Sequence, residues 1–106
     1  MGKFVRVAST GDVPAGAAKY IDLDGEPIAL FHVGDNFYAT CDVCTHEEAS
    51  LSEGELDGEL IECPLHGARF NVRTGEVKSL PAVVRLKTYP VRVVGDAVEV
   101  EVEVEV

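Results

Sequence analysis

Helical periodicity is nearly absent from these 106 residues. Apolar and polar side chains alternate in short runs instead, which argues against a helical bundle and for strands. No apolar run approaches the roughly 18–20 residues that a membrane span requires. Met1-Gly2-Lys3-Phe4 turns polar too early to supply a signal-peptide core, and Arg6 stands where a myristoylation signal would need Ser or Thr. The expectation is a soluble, cytoplasmic protein with no membrane partner. Positive charge is also scarce: nine Lys and Arg face nineteen Asp and Glu, a formal charge of -10. Such a chain repels phosphate backbones, which argues against a nucleic-acid partner, and it suits docking onto a basic protein surface. Cysteines number three, an odd count that does not suit a disulfide framework. Alongside three histidines they point to metal binding.

What is present is a single small domain of alternating segments. Phe4 to Val7 reads as a first strand. Lys19 to Leu23 and Glu26 to Val33 read as a hairpin joined by Asp24-Gly25, a strong turn signal. Gly34-Asp35-Asn36 turns into Phe37-Tyr38-Ala39. Leu60 to Glu62 and Ala68 to Asn71 are short strands, and Arg73-Thr74-Gly75 turns the chain again. Leu86 to Val94 and Ala97 to Val106 are expected to form a hairpin through Gly95-Asp96. In the Val-Glu tail, period two places every Val on one face and every Glu on the other, with the glutamates discouraging edge-to-edge aggregation. The expected fold is all-β: small antiparallel sheets making a sandwich or barrel base from residues 1–40 and 84–106, with an inserted metal-binding subdomain over 41–83.

The chemistry concentrates in that insertion. Cys44-Thr45-His46 and, sixteen residues on, Cys63-Pro64-Leu65-His66 are two short clips, each mixing one thiolate donor with one imidazole donor. Two Cys and two His suit a tetrahedral structural zinc site. Familiar zinc fingers, however, pair Cys with Cys and His with His, and place the His pair on a helix. The same donors suit a two-iron cluster with two thiolates on one iron and two imidazoles on the other. Cys41-Asp42-Val43-Cys44 has the spacing of a redox dithiol or half a zinc ribbon, but no second such pair and no strand-to-helix setting accompanies it.

The clips, continued by Gly67, Arg69-Phe70, Thr74-Gly75 and Leu86-Lys87-Thr88-Tyr89-Pro90-Val91, resemble the Rieske-type ferredoxins over nearly the whole chain. The resemblance implies one 2Fe–2S cluster, with Cys44 and Cys63 on the inner iron and His46 and His66 on the outer, solvent-near iron. It also implies a covering loop around Pro81. Two ferric irons, two sulfides and two thiolates sum to zero charge with neutral imidazoles. An electron is therefore accepted more easily than by a four-cysteine cluster. The high-potential members carry a disulfide between the clips and Ser and Tyr hydroxyls after the second. Here Ala49 and Leu65 occupy the disulfide places, and Ala68 and Phe70 the hydroxyl places. Fewer donors to the reduced cluster imply a potential near the lower end for such centres, about −150 mV.

This combination resembles the ferredoxin component of aromatic-ring dioxygenase systems, which serve aromatic hydrocarbon catabolism. The implied role is a monomeric one-electron carrier, not an enzyme. Its implied partners are a flavin-containing NAD(P)H-dependent reductase and a terminal Rieske oxygenase. Alternatives are the small Rieske subunit of a nitrite reductase and a structural zinc module. Other candidates have plainer readings: Cys41 as a small buried residue or free thiol, His32 as a packed strand histidine, Arg69 as half of a surface ion pair, and Gly67 and Gly75 as turn residues.

Overall fold

The computed structural model describes residues 2–43, 49–64, 67–79 and 84–103. In chain order the strands are β1 (Gly2–Ser9), β2 (Ala18–Leu23), β3 (Glu26–Val33), β4 (Asn36–Cys41), β5 (Glu55–Asp57) and β6 (Leu60–Glu62). They continue with β7 (Arg69–Asn71), β8 (Val77–Ser79), β9 (Thr88–Tyr89), β10 (Val91–Val94) and β11 (Ala97–Glu103). They form three antiparallel sheets, ordered β1-β11-β10, β2-β3-β4-β9 and β5-β6-β7-β8.

Turn chemistry sets the hairpins. Asp24 and Gly25 both adopt positive φ, 53° and 87°, the geometry that a two-residue turn needs to match strand twist. The Asp22 side chain adds a 2.8 Å bond from the Gly25 N–H. Gly34 and Gly95 open the β3–β4 and β10–β11 turns, also at positive φ.

The middle sheet separates two cores, and β3 explains why. Its run Ile28-Ala29-Leu30-Phe31 is fully buried on both faces. With period two, Ile28 and Leu30 point into one core with Val98 and Val100 of β11. Ala29 and Phe31 point into the other, with Ile61, Cys63 and Phe70. Each large side chain so buried contributes about 1.5–3 kcal/mol. Ala49 and Cys63, beside the two Cys/His clips, thus belong to a packed layer backed by the middle sheet.

The tail alternates as expected over its described part: Val98 and Val100 are buried, and Glu99 faces out to pair with Arg92 at 2.6 Å. Residues 104–106 lie outside the described residues. The expected single strand from Leu86 to Val94 is wrong. Pro90 divides it into β9, paired with β4, and β10, paired with β11. Proline has no N–H for a continuous ladder, and its carbonyl instead accepts from Glu101 N at 2.9 Å. The chain changes sheets there. Strands β5 and β8 were not anticipated, although Asp57-Gly58 carried a hairpin signal, with Gly58 at φ 60°.

Candidate metal centre

Two loops carry the clips, and both are closed at the neck. The second joins β6 to β7. Glu62 is paired in register with Arg69, and the Arg69 Nε meets the Glu62 carboxylate at 2.9 Å, the surface ion pair expected of it. Inside that neck the Cys63 N–H donates to the Ala68 carbonyl at 2.7 Å, and Gly67 at φ 72° turns the chain back. Cys63 is 1% exposed, against Ile61, Ala68 and Phe70. Leu65 and His66 lie outside the described residues, as do Cys44, Thr45 and His46. The first clip is therefore located by its flanks: Val43 and Ser50 form an isolated antiparallel bridge, and Leu51 N donates to Asp42 O at 2.7 Å.

The two necks touch. Gly54 lies so close to the second that a Cβ there would sit 2.0 Å from the Glu62 carbonyl oxygen. Ala49, Leu51, Cys63, Ala68 and Phe70 share one core beneath both loops. A third segment, 76–85, is pinned likewise. Gly75 at φ 80° packs against the Leu86 carbonyl and accepts from Leu86 N at 2.8 Å, while Arg85 Nη2 donates to Thr74 O at 2.8 Å. Pro81, expected in a covering loop, lies in that segment but outside the described residues.

These features fit a two-thiolate, two-imidazole iron–sulfur centre. A buried cysteine sits on a glycine turn between hydrogen-bonded strands, and the flanks of the other clip converge on the same core. Ala68 and Phe70 are both fully buried and bring no hydroxyl to it. The other histidine and cysteine lie on strands of the middle sheet. His32 places Nδ1 2.7 Å from the Val13 carbonyl and stacks on Phe37. Cys41 is a half-buried free thiol at the end of β4. Among the described residues no three His, Cys, Asp or Glu side chains cluster as a metal site. Sequence reasoning passed over Asp42, which is 3% exposed and clamps Ser50 and Ser52, and Gly54. Neither carries a local signal, because each acts on a distant partner.

Away from the clips, burial and then the negative charge of Glu26 push the Tyr89 phenol well above its ordinary pKa. Lys87 spans the same pair, 3.5 Å from the Glu26 carboxylate and over the Tyr89 ring. No helix among the described residues is long and apolar enough to cross a membrane.

The model of the Rieske [2Fe-2S] domain matches residues 3–90. The chain belongs to the Rieske [2Fe-2S] family. It is 48% identical over 99 residues to the biphenyl dioxygenase ferredoxin subunit of Pseudomonas sp. (strain KKS102), covering 92% of this chain and 91% of that one. It is 44% identical over 98 residues to the ferredoxin component of biphenyl 2,3-dioxygenase of Rhodococcus jostii (strain RHA1), covering 92% of each. Among solved structures it resembles a chain in the complex of reduced oxygenase and oxidised ferredoxin of carbazole 1,9a-dioxygenase. That likeness has a TM-score of 0.88 and 46% identity, over 92% of this chain and 91% of that one. This Rieske chain thus carries one 2Fe–2S cluster, and the zinc alternative gives way.

Proposed function

We propose that this Rieske protein is the ferredoxin of an aromatic-ring dioxygenase system, taking single electrons from a flavin-containing NAD(P)H-dependent reductase and delivering them to a terminal Rieske oxygenase. One observation carries the reading: the chain matches dioxygenase ferredoxin components along nearly their whole length. The same relatives favour it over the nitrite reductase subunit. Cys44 and Cys63 hold the inner iron and His46 and His66 the outer one; the buried, turn-bound Cys63 and the closed loop necks support that assignment. When bound, the cluster supplies one reversible electron.

The chain's own residues do the rest. Ile61, Ala68 and Phe70 exclude water from the Cys63 side, and they offer no hydroxyl, so the potential falls near the low end of such centres, about −150 mV. The imidazole side is the electron's exit. Residues 41–83 form the cluster-binding subdomain on a base of 1–40 and 84–106, a division supported by β5 to β8 making a sheet of their own among the described residues. The protein works as a cytoplasmic monomer, and its net charge of -10 steers it to basic partner surfaces.

The test mixes anaerobically reduced protein with oxidised terminal oxygenases of the biphenyl, carbazole and naphthalene systems and follows the visible spectrum. Reoxidation by at least one, well above the buffer rate, is expected, along with a rhombic EPR signal in the reduced state. His66→Cys should lower the potential or abolish assembly. A red-brown protein that no oxygenase reoxidises, or a colourless one holding stoichiometric zinc after iron-replete expression, overturns the reading.

A further inference from the structure

Asp42 has no part in the electron-carrier role described so far, yet it is the most heavily engaged carboxylate near the clips. It is 3% exposed, a rare situation for an acid. Its N–H donates to the Pro27 carbonyl at 3.0 Å, which fixes it to β3, and its carbonyl accepts from Leu51 N at 2.7 Å. Its Oδ1 accepts from Ser52 N at 2.8 Å and its Oδ2 from Ser50 Oγ at 2.5 Å. The two serine hydroxyls are themselves 2.9 Å apart. A carboxylate this deeply buried is tolerated only when its oxygens accept such bonds. Any opening of the neck strips a buried acid of its donors.

We propose that Asp42 is a positioning residue for the first metal-binding clip. It holds the two ends of segment 43–49 at a fixed span, so that Cys44 and His46 are presented without the loop-ordering cost falling on metal binding. The proposal rests on the ligand assignment made above. Glu62 and Arg69 close the second neck by a different device, an exposed ion pair that contributes little. Of the two necks, the first is therefore the one tied through a buried side-chain carboxylate.

The test is cluster release from the anaerobic holoprotein to an iron chelator, followed by visible absorption. Release proceeds through local opening, so its rate tracks the opening equilibrium. Asp42→Ala removes both side-chain bonds and should accelerate release roughly ten- to hundredfold. Asp42→Asn can accept from Ser52 N through its carbonyl and donate to Ser50 Oγ through its amide, so it should restore most of the wild-type lifetime. A merely structural role would also weaken amide-exchange protection in the β1–β11 ladder, which should stay unchanged. If Asp42→Ala does not fold, Ser50→Ala removes one of the two bonds and should still release the cluster severalfold faster. Wild-type release from these variants, or equal loss of β1–β11 protection, overturns the proposal. Cys44→Ser tests the underlying assignment separately: a wild-type EPR signal from that variant removes Cys44 from the ligand set, whereas its loss alongside normal release from Asp42→Ala overturns the role of Asp42 alone.

Discussion

Replacing Gly54 with Ala should damage this protein more than any exposed glycine change, and the reason is purely steric. Its backbone, φ −81° and ψ −175°, is an extended conformation any residue adopts, so no dihedral strain enters. A Cβ there would lie 2.0 Å from the Glu62 carbonyl oxygen and 3.2 Å from that of Leu51. Real Cβ atoms essentially never come within 3.0 Å of such a neighbour, so one chain must retreat by about 1 Å. The Glu62 carbonyl cannot swing aside cheaply, because Glu62 is held in register between Glu55 and Arg69. Forcing an extra methyl into such packing costs about 1–3 kcal/mol, and one disturbed ladder bond adds about 1 kcal/mol. A loss of about 2–4 kcal/mol in a domain of this size lowers the melting temperature by roughly 10–25 °C. Gly11 is the control: nothing lies within 4 Å of its Cβ position, so Gly11→Ala should be neutral or stabilise by up to about 1 kcal/mol. The assay is thermal unfolding of anaerobic holoprotein by circular dichroism, with cluster absorption recorded in parallel. Since Cys63 follows Glu62, colour should disappear at or before the unfolding transition. Equal melting temperatures for the Gly54 and Gly11 variants would refute the reasoning.

Two further outcomes follow from single side chains. Phe70→Tyr returns a hydroxyl to the place where high-potential Rieske proteins carry one. Direct electrochemistry should show the potential rising by tens of mV, because one extra hydrogen bond to the reduced state is worth on the order of 1 kcal/mol and a one-electron couple moves 59 mV per tenfold; an unchanged potential sinks the missing-donor explanation. Tyr89 is held protonated in the fold by burial and then by Glu26. The unfolded chain releases that proton near pH 10, so the stabilisation is complete below pH 10 and drains away as pH rises towards the higher folded value. Urea midpoints between pH 9 and 11.5 should fall less steeply for Tyr89→Phe than for wild type, and parallel slopes would contradict it.

The legible part of the structure was local. Asp24-Gly25, Gly34 and Gly95 announced their turns because a positive-φ requirement is written in one or two residues. The Val-Glu alternation announced a half-buried strand because successive side chains of a strand point to opposite faces. The clips, with Ala68 and Phe70 beside them, specified donor chemistry directly, and that chemistry pointed to the family later matched over residues 3–90. Pro90 was visible too, but not its consequence. Whether proline kinks a strand or hands the chain from one sheet to another depends on where β4 (Asn36–Cys41) lies, and that strand is distant from Pro90 in sequence.

The sequence by itself determined the donor types, the alternation and the hairpin turns, because each depends on neighbours only a few residues apart. Only the tertiary structure decided that β3 feeds two cores at once, that Gly54 must lack a side chain because Glu62 lies against it, and that the buried Asp42 carboxylate bonds Ser50 and Ser52. Those are contacts between residues brought together by folding, and no local pattern encodes a distance of 2 or 3 Å across such gaps.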